Sequence, residues 1–280
     1  PPAPFEHTFD KSYRGMVDRL VLDNYFLFVY NSQWTSDWGP PPSKAYSLLV
    51  DEIRKNANDR EHIAAHYDEG IVAVDRALET LWAELKRLGL YENTVIILTS
   101  DHGEELGEQG AFRHNFCLLD SVSRVPLVVR IPSVQGGLRV KPQVQLIDVA
   151  PTVLDLLNIP IPSTFTGVSL APLLKGAAGD GPSPYAFSSS DTPEGRNALF
   201  SVRSEKWKLL RYANPPRQLL FDLTNDPKET ADVAASHPDM TRDLSSRLDR
   251  WLARPKSPKA SGVTLDEQEL RRLRAMGYLR

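Results

Sequence analysis

The sequence predicts an α/β domain built on buried strands, followed by a small subdomain of antiparallel sheet and helices. Three observations predict it. Apolar runs at Tyr25-Phe26-Leu27-Phe28-Val29-Tyr30, at residues 94–100 and at residues 125–131 read as strands buried on both faces. Between the first two lies a segment with helical periodicity, and helix followed by apolar strand favours a sheet with parallel members. Beyond Pro184 the character changes to short strand-like segments separated by turn residues.

Taken in order, residues 1–24 are polar, with helix-like spacing around Met16, Leu20 and Val21. The strand 25–30 leads into a loop, residues 31–42, with Trp34, Trp38 and a run of three prolines. Ile71, Val74, Leu78, Leu81, Trp82, Leu85 and Leu88 then recur at three- and four-residue steps, which predicts an amphipathic helix that Gly89 stops. Residues 147–157 read as a helix, with Asp148 as N-cap and Pro151 in its first turn, where a missing N–H costs nothing. A Pro/Gly-rich run from Lys175 to Pro184 reads as a linker. Strands are expected at 198–203, 207–212 and 218–223, and helices near 240–252 and 265–276. The expected division is 1–180 for the α/β part and 181–280 for the subdomain and its helical tail.

The chain has 280 residues, 41% hydrophobic and 25% charged, which suits a globular protein. Its formal net charge of -3 argues against a nucleic-acid-binding surface. No apolar stretch approaches the roughly 18 to 20 residues that span a bilayer. Cys117, the sole cysteine, is expected to be a buried structural thiol. Pro1-Pro2-Ala3-Pro4 lacks the pattern of a signal peptide, so a partial or processed chain is expected. Compartment and oligomeric state are not legible.

The strand 94–100 ends in Ser100-Asp101-His102-Gly103-Glu104-Glu105. Ligands of α/β sheets bind beyond the carboxyl ends of strands. Adjacent side chains on a strand point apart, but a turn at Gly103 lets Asp101 and His102 converge on one ion. A carboxylate with an imidazole suits a divalent cation of hard or borderline character. Glu104 or Glu105 is expected either to accept a hydrogen bond from the His102 ring or to face water. His62 and His66, four apart without the His-Glu-x-x-His pattern, are expected on a solvated helix face. Asp222, Asp226 and Glu229 read as turn and cap residues.

The run from Asn93 to Glu108 resembles the sulfatase family of the alkaline phosphatase superfamily. So do Tyr67-Asp68-Glu69-Gly70 through Leu78 before it, and Ser123-Arg124-Val125-Pro126-Leu127 after it. Ile147-Asp148-Val149-Ala150-Pro151-Thr152 and Gly167-Val168-Ser169-Leu170 follow in the family's order, and Lys206-Trp207-Lys208-Leu209 with residues 220–229 resembles its small C-terminal subdomain. The resemblance runs from about residue 25 to the end. It implies an alkaline-phosphatase-like central sheet flanked by helices, present in part.

It further implies hydrolysis of sulfate esters, on a small molecule or a glycan, with phosphate mono- or diester hydrolysis among relatives. Asp101 and His102 match the second pair of metal ligands. The ion implied is Ca2+, with Mn2+ or Zn2+ admitted by the imidazole. His114 matches a position where a basic residue contacts the sulfate or the leaving oxygen, so His114 is the candidate catalytic residue, and Arg113 and His114 the candidate substrate-binding pair. A cation there stabilises charge on the leaving oxygen or donates a proton to it. The family's formylglycine nucleophile arises within Cys/Ser-x-Pro/Ala-x-Arg, which does not occur here. That motif and the first acidic ligand pair are expected upstream of Pro1, and the 280 residues alone are expected to show weak metal affinity and no turnover. The loop 31–40 lacks a histidine that family loops carry, and Gln109 and Phe116 stand where close relatives have histidine. These departures keep two alternatives open: a phosphoesterase, or a non-catalytic binder of a sulfated ligand.

Overall fold

The computed structural model describes residues 55–107, 112–114, 117–132, 134–177, 179, 181–190, 198–254, 266, 267 and 269–271. The expected strand 25–30, the loop with Trp34 and Trp38, and most of the 265–276 helix lie outside them.

Helix α1 (Ala57–Arg87) starts at Asn56, whose side chain accepts a hydrogen bond from the Asn58 amide at 3.0 Å. It ends at Gly89, which takes the left-handed φ of 68° that a Cβ disfavours. Its apolar stripe is not a core face among the described residues: Ile71, Val74, Leu81 and Leu88 are exposed. Its buried side chains are polar instead, namely Asp59, His62 and Glu69.

After a 3₁₀ turn come β1 (Ile96–Thr99), the short β2 (Glu105–Leu106) and β3 (Phe112–Arg113), a one-turn helix α2 (Asp120–Ser123) and β4 (Leu127–Arg130). A sheet with parallel members was expected, and its first strand, 25–30, lies outside the described residues; β1 pairs antiparallel with β4, Ile96 opposite Arg130 and Thr99 opposite Leu127. The reason is the connection. A parallel return needs a crossover to the far end of the sheet, whereas β4 starts beside the end where β1 leaves, Leu127 opposite Thr99. Arg130 anchors this pair, donating to Tyr91 O at 2.7 Å and Thr94 O at 3.0 Å.

Helix α3 (Val149–Leu156) and the one-turn α4 (Ala171–Leu174) are joined through two buried polar side chains. Asp148 precedes α3 as expected, but its carboxylate does not cap that helix. It accepts from Gln145 N at 3.0 Å and from Val168 N at 2.9 Å. Thr152 accepts from Leu170 N at 2.8 Å. Gly167 is required by this close approach, since a Cβ there would lie 2.0 Å from Ile147 O. The motifs at 147–152 and 167–170 are therefore one local structure.

The subdomain is a four-stranded antiparallel sheet in sequence order: β5 (Ala186–Ser190), β6 (Leu199–Arg203), β7 (Trp207–Tyr212) and β8 (Arg217–Asp222). Helix α5 (Pro238–Leu252) lays Leu244 and Leu248 on Val202, Leu209 and Leu220. The opposite face packs Leu199, Leu210 and Phe221 against Leu118 and Leu223. Strand β5 is not predicted by the sequence. Its serines carry little strand preference, and Gln145 holds it from outside by accepting from Phe187 N at 3.0 Å. Among the described residues no helix is long and apolar enough to cross a membrane.

Candidate metal centre

The site begins where β1 ends. Ser100 donates to His102 O at 2.6 Å, and Asp101 accepts from the His102 amide at 3.0 Å, so the chain doubles back within three residues. That amide holds the Asp101 carboxyl below its usual range, and the group is ionised at neutral pH. Gly103 carries the bend against the α2 turn. Its amide donates to Val122 O at 2.8 Å, and a Cβ would lie 2.1 Å from Ser121 O.

His102 Nδ1 lies 3.0 Å from Gly103 O. A carbonyl only accepts, so the Nδ1 proton is fixed there and the neutral ring presents a lone pair at Nε2. Ring-nitrogen donation to a carbonyl is how metal-binding histidines are oriented. Nε2 is 3.7 Å from Asp101 Oδ2. Two atoms so placed fit a shared divalent cation at about 2.0–2.6 Å from each. The Asp101 side chain is 75% exposed and that of His102 38%, so both are accessible to an ion.

His114 joins them. Its ring centroid is 3.9 Å from that of His102, tilted by 31°. Its Nδ1 is 2.7 Å from Glu104 Oε1. One ligand atom each from His102, Glu104 and His114 falls within a 4.8 Å cluster. For Glu104 and Glu105 either the His102 ring or water was expected as partner; Glu104 binds His114, and Glu105 is buried against the Ser121 hydroxyl. The signal for Glu104 is the β2–β3 pairing. Glu105 faces Arg113, and one step further along that register Glu104 faces His114. Gly107, at φ 96°, eases the turn between the two strands.

Arg113 is placed by its backbone in β3, and its side chain lies outside the described residues, as do Gln109 and Phe116. Asp101, His102 and His114 line a cleft of about 2110 Å³ whose wall also carries Arg124, Lys141 and Trp207. The thiol of Cys117 is pushed up to about 11 by burial, so it is no nucleophile at neutral pH.

His62 and His66 depart from the solvated face expected of them. His62 is buried; His66 Nε2 lies 2.9 Å from its Nε2, and His66 Nδ1 lies 3.0 Å from buried Glu69. Glu229 closes a turn as expected, its amide donating to Asp226 O at 3.1 Å, and its side chain is buried 3.0 Å from Lys208. Asp222 and Asp226 do accept from nearby turn amides, as expected.

Comparisons with known proteins identify the family and the fold. The profile described as "N-sulphoglucosamine sulphohydrolase, C-terminal" matches residues 107–254, and that described as "Sulfatase" matches 23–159. Arylsulfatase K of Bos taurus is 31% identical over 233 residues, covering 78% of this chain and 43% of its own length. The chain spans about two fifths of the curated relatives it matches. The phosphonate monoester hydrolase of Agrobacterium radiobacter superposes with a TM-score of 0.66 at 28% identity, covering 76% of this chain and 46% of that one. That of Silicibacter pomeroyi superposes with a TM-score of 0.70 at 24% identity, covering 96% and 56%.

Proposed function

The chain belongs to the sulfatase family of the alkaline phosphatase superfamily, and from that membership we propose that it serves the hydrolysis of sulfuric esters. The observation that carries the proposal is the convergence at the end of β1: Asp101 and His102 at 3.7 Å, with the His114–Glu104 pair beside them.

In this reading Asp101 and His102 hold a divalent cation, calcium in the first instance. The chemistry supplied at such a site is neutralisation of charge on the ester oxygens. Glu104 fixes the His114 ring through Nδ1. In the protonated ring Nε2–H then donates to the oxygen of the departing alcohol, where negative charge grows as the ester bond breaks. Arg124, Lys141 and Lys206 on the cleft wall attract an anionic ester, which supports a sulfate ester as substrate. Since no Cys/Ser-x-Pro/Ala-x-Arg motif occurs in the 280 residues, these residues do not supply the nucleophile.

A second reading, phosphate or phosphonate ester hydrolysis, is favoured by the likeness to the Agrobacterium radiobacter enzyme. Calorimetric titration of inorganic sulfate and inorganic phosphate into the chain with Ca2+ separates the two. Sulfate binding that needs Ca2+ and is lost in His114→Ala supports the sulfatase reading. Preference for phosphate overturns it in favour of the second. Hydrolysis of 4-nitrocatechol sulfate by the 280 residues alone is expected to be undetectable, and substantial turnover would contradict the assignment of the nucleophile elsewhere.

A further inference from the structure

We propose that a buried ion cluster joining the subdomain to α2 is a positioning device for the ligand loop, with Lys208, Arg203, Asp120 and Glu229 as positioning residues. The inference rests on the reading of Asp101 and His102 as metal ligands.

Lys208, on β7, is wholly buried. Its Nζ hydrogen-bonds Asp120 Oδ1 at 2.9 Å and Ser123 Oγ at 3.2 Å and lies 3.0 Å from Glu229 Oε1 as an ion pair. Arg203, at the end of β6, forks onto the same carboxylate, Nε at 3.0 Å from Oδ1 and a terminal nitrogen at 2.8 Å from Oδ2. Glu229 also accepts from the Asp120 amide at 2.5 Å. Two cations and one carboxylate thus grip the first residue of α2 from three parts of the subdomain.

The other side of α2 carries the ligand loop. Val122 O receives the Gly103 amide, Ser121 O fills the space where a Gly103 Cβ would stand, and the Ser121 hydroxyl meets Glu105. Asp101 and His102 are the two residues before Gly103, and Glu104 follows it. The path from Lys208 to the candidate ligands therefore passes through Asp120, one turn of helix and one backbone hydrogen bond. Burying such a cluster contributes little net stability compared with apolar side chains. It does fix directions, because the guanidinium fork and the ammonium each constrain a carboxylate that an apolar contact would leave free to slide.

The test uses the 280-residue chain carrying Lys208→Met with Glu229→Gln, which removes one charge of each sign. Two quantities are read: amide hydrogen exchange at Gly103, and Mn2+ affinity from the free-ion EPR signal. The expected result is faster exchange at Gly103 and Mn2+ affinity lower by about tenfold. Exchange at Val168 and Leu170, held by Asp148 and Thr152, stays unchanged. A folded variant with wild-type Gly103 exchange and wild-type Mn2+ affinity overturns the proposal. If the double variant does not fold, Arg203→Lys replaces the fork by a single contact at a partly solvated position. It is expected to shift both readings the same way by less, and no shift overturns the proposal. Wild-type protein that takes up no Mn2+ contradicts the reading of Asp101 and His102 as ligands, while Gly103 exchange still decides whether the cluster holds the loop.

Discussion

His114 Nδ1 stands 2.7 Å from Glu104 Oε1 across a turn whose strand register alone brings the two residues face to face. The carboxylate sets which ring nitrogen points outward. Glu104→Gln preserves the shape and keeps an acceptor but removes the charge. The expected outcome is a folded protein whose Ca2+-dependent sulfate binding is weaker by about tenfold, the loss of one charge-assisted hydrogen bond. Calorimetry measures it, and unchanged sulfate affinity would show that the pair does not orient the ring for the anion.

Gly103→Ala tests the bend itself. The added methyl would meet the backbone oxygen of Ser121 at 2.1 Å, and backbone cannot swing aside as a side-chain tip can. A destabilisation of about 1–3 kcal/mol is expected in urea denaturation. Ala substituted at Gly70, where nothing lies within 4 Å, is the control and should leave the protein as stable or more so.

Asp120 gives a pH dependence with a defined sign. Burial opposes its ionisation, but the Arg203 fork and Lys208 outweigh that and draw its carboxyl from the usual 3.8 down to about 2. A carboxyl depressed in the fold stabilises it fully above the unfolded value, and the contribution is lost as pH falls from about 4 through about 2. The shift corresponds to about 2 kcal/mol. Burial holds the Glu229 carboxyl above its usual range, which acts in the opposite sense, and Asp120→Asn removes the Asp120 contribution. The variant should be less stable than wild type at pH 6, with the difference narrowing below pH 4; a gap of constant size down to pH 2 would contradict the assignment.

The subdomain core supplies a stability contrast. Leu209 and Leu220 are fully buried under α5, whereas Val128 on β4 is 58% exposed. Leu209→Ala should cost about 2–5 kcal/mol and Val128→Ala within about 0.5 kcal/mol in denaturant titration. Similar costs at both positions would mean that β4 is covered in solution.

Local signals in the sequence carry the elements whose stability is local. Strand β7 coincides with the predicted 207–212, because apolar residues between turn-formers leave few alternatives. Asp101 and His102 are legible as a pair because a strand end followed by glycine constrains them. What is not legible depends on contacts far along the chain. The antiparallel partner of β1 is decided by where the 100–126 connection returns. The burial of His62 and the exposure of Ile71 and Val74 on one helix are set by what packs on it, which periodicity does not contain. Glu104 requires the register of a two-residue strand pair, and the grip of Lys208 and Glu229 on Asp120 links residues 88 and 109 positions apart.

The most direct test of the metal centre is a Mn2+ titration followed through the imidazole NMR signals. The chain has six histidines, and a paramagnetic ion broadens first those that lie nearest it. His102 is expected to broaden first, His114 with it, before His62, His66 and His237, and Asp101→Asn to remove this order. Broadening that begins at His62 and His66, or that spreads evenly over all six, would contradict it.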